Sequence, residues 1–210
     1  EAKYGINRYI TVGGGMEYLS SITGGEEIPF MNASISLFRN LLLNAEYAKG
    51  VRMSALANYR LPSGLSLELN YTRYEPEQKA IQVSYREERQ ATFSLPIRLP
   101  KFTAFSRLSF RQNVYETFTY NNADITFSSY LKRVNLNLSS YANWMSDKSP
   151  YIYGNIGVGM PMWRGVTSRL QSQIDFTHKR FTSVRAELEK RISRQGYLSL
   201  ADEKNFQSDY

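Results

Sequence analysis

The sequence predicts an all-β chain: an antiparallel up-and-down transmembrane β-barrel of roughly 12 to 14 strands, or a portion of a larger barrel. Three observations lead there. Segments of about ten residues recur in which every second side chain is apolar or aromatic and the alternates are polar, small or charged. Short turn signals separate these segments, with no block of helical period between them. No run approaches the roughly 18 consecutive apolar residues that a spanning helix needs, so a membrane crossing would have to use strands.

Taken in order, Ile10, Val12, Met16 and Tyr18 alternate with Thr11, Gly13, Gly15 and Glu17, and the Gly13-Gly14-Gly15 run inside this strand predicts curvature or close backbone approach. After a turn-rich stretch, Ser20 to Glu27, the apolar face resumes at Met31, Ala33, Ile35 and Leu37. The short Arg39-Asn40 connection then leads to Leu41, Leu43, Ala45 and Tyr47, as in a hairpin. Lys49-Gly50 precedes Val51, Met53, Ala55, Ala57 and Tyr59, and Pro62-Ser63-Gly64 is a turn. The clearest strand follows, with Leu65, Leu67, Leu69 and Tyr71 set against Ser66, Glu68, Asn70 and Thr72. Only a two-residue period sorts side chains this way.

Beyond the Glu75 to Lys79 connection, Ile81, Val83 and Tyr85 predict a strand with Gln82, Ser84 and Arg86 on its other face. A corner at Glu87-Glu88-Arg89 divides it from Ala91, Phe93, Leu95, Ile97 and Leu99, where Pro96 would mark a bulge. Pro100-Lys101 turns into Ala104, Leu108 and Phe110. The stretch Asn113 to Ala123 fits either a long loop or extended strand ends. Alternation returns at Ile125 and Phe127 and, past Lys132-Arg133, at Val134, Leu136, Leu138, Ala142 and Trp144. Ser146 to Pro150 is a loop. The remaining strands carry Ile152, Ile156, Val158 and Met160, then Leu170, Ile174 and Phe176, then Val184, Ala186 and Leu188. One domain over residues 1–210, a barrel or barrel segment, accounts for all of it.

Hydrophobic residues make up 42% of the 210, and the mean hydropathy is -0.45. A membrane barrel is compatible with so low a value because its polar lumen dilutes its apolar face. Glu1 to Asn7 lack the apolar core of a signal peptide, as expected of a mature chain or an excised segment. With no cysteine there is neither a disulfide framework nor thiolate chemistry. The net charge of +7 raises nucleic acid as a partner, but the basic residues are spread along strands and turns rather than gathered in a tract, which argues against it. The 16 tyrosines against 2 tryptophans suit strand packing and a membrane interface.

Catalytic and cofactor signals are weak. The glycine run has no following helix, no Lys-Ser/Thr pair and no dinucleotide-binding spacing. His178, the sole histidine, falls in the turn-like Thr177-His178-Lys179-Arg180, with no serine singled out as its nucleophile. One histidine and no cysteine make a poor metal set. Glu187 and Glu189 resemble a glycosidase pair in type alone. The reading is therefore non-catalytic, with no cofactor and no metal.

The constellation that stands out is the charge on the wet parity: Glu46, Arg52, Glu68, Arg86, Arg107, Arg111, Arg169, Asp175, Arg185, Glu187, Glu189 and Arg191. In a barrel these residues face a lumen. Excess arginine would bias passage towards anions, whereas mixed signs would pair across strands and simply fill the interior. Lys190, on the otherwise apolar parity, fits a strand end where a long basic side chain reaches the interface.

The segments Ile10-Thr11-Val12-Gly13-Gly14-Gly15-Met16-Glu17-Tyr18 and Leu65-Ser66-Leu67-Glu68-Leu69-Asn70-Tyr71 resemble strands of bacterial outer-membrane β-barrels. Tyr4-Gly5-Ile6-Asn7 is similar to the opening of barrel segments in fimbrial usher-like proteins, although no usher plug or periplasmic domain is evident. Tyr210 matches the terminal aromatic of many such barrels, while Ser208 and Lys204 stand where that signal is usually apolar. The resemblance implies a bacterial outer-membrane location, with outer-membrane lipid around the barrel and a solute or exported protein passing through it. The alternatives are an outer-membrane structural or assembly scaffold and a soluble β-sandwich or ligand-binding β-barrel, in which the apolar parity would turn inward. Oligomeric state leaves no signal in the sequence.

Overall fold

A computed structural model describes residues 1–19, 26–100, 102–146, 148–162, 165–192 and 196–206. The strands are β1 (Ala2–Gly5), β2 (Ile10–Leu19), β3 (Glu26–Leu37), β4 (Leu41–Ala48), β5 (Arg52–Arg60), β6 (Ser66–Tyr74) and β7 (Glu87–Leu99). They continue as β8 (Phe102–Val114), β9 (Thr119–Leu131), β10 (Val134–Met145), β11 (Tyr151–Pro161), β12 (Val166–Asp175), β13 (Arg180–Arg191) and β14 (Tyr197–Asn205). All belong to one 14-stranded sheet in which spatial order equals sequence order. Among the described residues there is no helix, and no pairing joins β1 to β14. The sheet is therefore not closed: of the two expectations, a complete barrel and a portion of a larger one, the complete barrel is not what these strands form. The four residues of β1 and the nine of β14 are all exposed.

The alternation read from the sequence is realised through the pairing register, because directly opposed residues share a face. Across β2 to β6 one apolar row runs Val12, Ala33, Ala45, Ala55, Tyr71, and the next runs Ile10, Ile35, Leu43, Ala57, Leu69. The opposite face carries Gly13, Asn32, Glu46, Ser54 and Thr72 in a row. In the later strands Leu136, Val158, Leu170 and Ala186 line up on one face, and Asn137, Gly157, Gln171 and Arg185 on the other. β14 breaks the pattern, setting Asp202 opposite Ala186 and Lys204 opposite Val184 on the apolar face. Charges so placed on an edge strand discourage further pairing.

The apolar face is not covered. Met31 is 63% exposed and Leu170 50%, and the only buried hydrophobic residues among those described are Ile28, Ala48, Val51 and Ala104. Among the described residues no ordinary hydrophobic core forms.

Two compact units can be distinguished. The first comprises Glu1–Phe93, Ser109–Asn121 and Met145–Asp147; the second comprises Ser94–Leu108, Asn122–Trp144 and Lys148–Tyr210. The first contains a small apolar cluster, Ile28, Ala48 and Val51 at the strand ends, against which Phe30, Ala80 and Ile81 pack. This packing corrects the expectation for Ile81 to Arg86, which is not a strand. Gln78 clamps Ile81 from both sides, its Nε2 donating to the Ile81 carbonyl at 2.8 Å and its Oε1 accepting from the Ile81 N–H at 2.9 Å. The alternate apolar residues serve a folded-back connection instead, with Ile81 on the cluster and Tyr85 edge-on to Tyr74 and Tyr115.

The corner expected at Glu87-Glu88-Arg89 is not formed either: these residues open β7, the bend being made by the folded-back segment before them. Several other connections match expectation. Phe38 and Lys132, in the tight β3–β4 and β9–β10 turns, adopt φ of 60° and 55°, and Gly64 adopts 89° after Pro62-Ser63. The ambiguous Asn113 to Ala123 stretch resolves into strand ends around a Tyr115–Phe118 turn, where the Tyr115 N–H donates to the Phe118 carbonyl at 2.9 Å. β7 continues unbroken through Pro96. A register shift lies at Gln173/Ile174, between β12 and β13. β1 and β14 had not been anticipated. Residues 20–25 of the expected first turn, together with Ser208 and Tyr210, lie outside the described residues.

Close approach by backbone favours glycine at Gly15 and Gly154, and at Gly13 the near neighbour is a side-chain end that can move. A Cβ on Gly13 would meet Asn32 Oδ1 at 2.5 Å, and one on Gly15 would meet the Glu1 backbone at 2.9 Å and the Phe30 ring at 3.1 Å. On Gly154 it would lie 2.7 Å from the Ser139 carbonyl oxygen and 2.8 Å from the Phe176 ring. Gly157 is roomier, with its nearest neighbours at 3.8 Å. Gly154→Ala is accordingly expected to cost about 1–3 kcal/mol and Gly157→Ala close to nothing. Denaturant titration of the two variants side by side checks this, and equal costs would contradict the packing described.

Candidate functional site

The polar parity of the strands carries charge of both signs, and cross-strand pairing organises much of it. In the first unit Arg52 reaches diagonally from β5 to Glu46 on β4, its Nη2 at 2.9 Å and Nε at 3.3 Å from the same carboxylate oxygen. Glu68 accepts from Asn58 Nδ2 at 3.3 Å, the two residues being directly opposed. Lys3 pairs with Glu1 at 3.1 Å, and Asn32 Nδ2 donates to the same Glu1 oxygen at 3.3 Å across the space that Gly13 leaves open. Of these groups Lys3, Asn32 and Glu46 line a hollow of about 430 Å³, together with Asn44, Ser54 and Asn70.

A second group of charges surrounds the ends of β7 and β8. Arg111 contacts Glu88 at 3.4 Å, and Arg89 contacts Glu87 at 2.8 Å. Arg86 precedes β7 rather than lying on a strand, and it pairs with Glu116 of the β8–β9 turn. In the second unit Arg169 bonds Glu189 at 3.1 Å and stands opposite Glu187. Arg185 approaches Glu203 at 3.8 Å, and Arg191 stands opposite Tyr197. Arg107, on β8, makes no ion pair or hydrogen bond among the described residues. Of the two consequences read from the mixed charges, inter-strand pairing is the one this geometry displays.

The sequence reading missed the partner of His178. Asp175, the last residue of β12 and 1% exposed, lies 2.7 Å from His178 Nδ1 through Oδ2 and accepts the His178 backbone N–H at 3.0 Å through Oδ1. Tyr151 donates to Asp175 Oδ2 at 3.4 Å, and Arg180 Nε stands 3.7 Å away. The carboxylate thus closes the turn from within and orients the imidazole. An Asp three residues before a His in a turn was the available sign. Among the described residues, no serine hydroxyl hydrogen-bonds to the ring.

Aromatic residues edge both units. Tyr85 sits between Tyr74, at 5.7 Å, and Tyr115, at 6.0 Å, while Tyr115 stacks on Phe118 at 4.3 Å. In the second unit Tyr141 and Tyr153, opposed on the polar face, stack at 5.1 Å, and Tyr151 tilts against Tyr153 at 5.8 Å. The Tyr85 hydroxyl donates to Glu88 Oε2 at 3.1 Å. Burial, followed by the nearby Glu88 charge, pushes its pKa up to about 12.

Comparison with protein-family models, curated proteins and solved structures finds no match for this chain. Function therefore has to be argued from the two faces and the groups they bring together.

Because the folded-state pKa of Tyr85 is raised, its contribution to stability is complete below the ordinary tyrosine pKa of about 10 and is lost as pH rises through about 12. Phenolate absorbance should show a last-titrating tyrosine that Tyr85→Phe removes. The wild type should lose more stability than that variant between these two pH values. A Tyr85→Phe titration superimposable on wild type would contradict the assignment. Arg52→Met, which leaves Glu46 half-buried without its partner, should lower stability by about 0.5–1 kcal/mol in low salt and by less in high salt.

Proposed function

We propose that the chain forms the barrel, or a segment of the barrel, of a bacterial outer-membrane protein. Its apolar face meets lipid, and its polar face lines a lumen through which a solute or an exported protein passes. Passage relies on positioning and electrostatics, without covalent chemistry. The observation that carries this reading is the sorting of the register: strand after strand sends its apolar parity to one face and leaves it exposed, while the other face is polar and ion-paired. In water such a surface is an aggregation hazard; in lipid it is the required one.

Three further features support the proposal. Most strands have 8 to 13 residues, which brackets the roughly 9–11 that a tilted strand needs to cross a bilayer. An even strand number lets a closing β1–β14 pair remain antiparallel. In the pairs from β2 to β6 and from β10 to β13, charges on the apolar face sit at row ends: Glu27 opposite Tyr18, Arg73 opposite Met53 and Lys190 opposite Val166. Headgroups and water are available at those depths. β14, with Asp202 and Lys204 on that face, marks the limit of the lipid-facing surface.

Leu170 and its neighbour Gln171 discriminate between the media. Leu170→Arg should cost about 2–4 kcal/mol of folding free energy in vesicles if the residue lies near the midplane, and Gln171→Arg about zero, since it turns to the lumen. Denaturant titration in lipid vesicles reads both values. Equal effects, or a protein that stays monodisperse without detergent, would remove the membrane reading. Planar-bilayer recordings should show discrete conductance steps. Folded barrels without any channels would leave the scaffold role.

A further inference from the structure

The second unit contains a hollow of about 400 Å³ on the polar face, between β9 and β12. Its side-chain lining differs in kind from that of the hollow in the first unit. Thr126, Ser128, Asn137, Ser139, Asn155 and Gln171 supply hydroxyls and carboxamides, and no ionisable residue lines it. The nearest charges in the Gln171 row, Arg185 and Glu203, are directed to each other. Only one hydrogen bond joins these lining side chains, from Asn155 Nδ2 to Ser139 Oγ at 3.5 Å. Each carboxamide offers two donors and an acceptor, so most of that capacity faces the open space. Gly157 leaves the floor low, since even the Cβ it lacks would stand 3.8 Å from Asn137 and 3.9 Å from Gln171.

One step along the strands from Ser139 and Asn155 stand Tyr141 and Tyr153, roughly 7 Å away by strand rise. Tyr141 has Tyr153 as its single ring partner among the described residues, so the other face of its ring is not stacked. Neutral amides and hydroxyls converging beside an aromatic face match one ligand chemistry: a molecule with many hydroxyls, no charge and apolar C–H faces. The volume falls in the roughly 300–1,000 Å³ range of small-molecule sites.

We propose that this hollow binds a neutral oligosaccharide, with Asn137, Asn155 and Gln171 hydrogen-bonding its hydroxyls and Tyr141 packing against a sugar face. The proposal rests on the lumen reading in one respect, since it names the class of solute the polar face would handle. An anionic solute would find no counter-charge in the hollow, and an apolar one would strand the amides without partners.

The test uses folded protein in detergent micelles, titrated with maltotriose, cellotriose and chitotriose, with binding read by calorimetry and tyrosine fluorescence. At least one trisaccharide should bind saturably. Asn155→Ala and Gln171→Ala should each weaken binding about three- to tenfold, the loss of one hydrogen bond. Gly157→Leu should abolish it by filling the hollow while leaving the denaturation midpoint unchanged, which separates occlusion from misfolding. The proposal is overturned if none of the three sugars binds, as for a hollow that holds water only, or if Gly157→Leu binds as wild type does. Bilayer recordings keep the two readings apart. Channels in a protein that binds no sugar would leave the conduit standing and remove the saccharide site; sugar binding without channels would do the reverse.

Discussion

Register is the constraint on which everything else in this chain depends. In a meander of antiparallel strands every side chain's face is set by parity, and a slip of one residue in one pair would send a whole strand's apolar set to the wrong side. The rows from Val12 to Tyr71 and from Leu136 to Ala186 show the register held across successive pairs. Two-residue turns such as Lys132-Arg133 help to hold it, because so short a loop admits few pairings. With so few buried hydrophobic residues, stability rests on backbone ladders and cross-strand pairs rather than on a core.

The polar face follows from the same constraint. Once parity places Glu46 and Arg52 on one surface of the first unit, and Arg169 and Glu189 on one surface of the second, opposite charges on neighbouring strands come within reach, and diagonal pairs form. Glycine modifies this surface locally. At Gly13 the missing Cβ lets Asn32 lean across its neighbour, and at Gly157 it deepens a hollow lined by uncharged groups. The two hollows thus offer different chemistry: the first has Lys3 and Glu46 in its lining, whereas the polar groups of the second are uncharged amides and hydroxyls, set among Phe127, Leu138 and Ile156.

Strand ends are secured by different means. Ile81 and Ala80 fold onto Ile28, Ala48 and Val51, Tyr85 wedges between two tyrosines, and Asp175 closes its turn by holding both the backbone and the ring of His178. These contacts use side chains that local pattern assigns elsewhere. Ile81, Val83 and Tyr85 alternate as regularly as any strand, yet the Gln78 clamp and the waiting apolar cluster draw that segment back onto the strand ends.

The sequence by itself determined the all-β class, the near-continuous meander and the division of residues into an apolar and a wet parity. A period of two is a local property, and twelve of the strands declare it. It also placed Glu46, Arg52, Glu68, Arg169 and Arg185 on the wet side. Only the tertiary structure decided which charges meet, that Asp175 is the buried partner of His178, that Ile81–Arg86 is not a strand, and that β1 and β14 remain unpaired with each other. The physical reason is range. Alternation is written between residues two apart, whereas ion pairs, edge pairing and a hollow between four strands depend on residues brought together from distant positions, which no local pattern encodes.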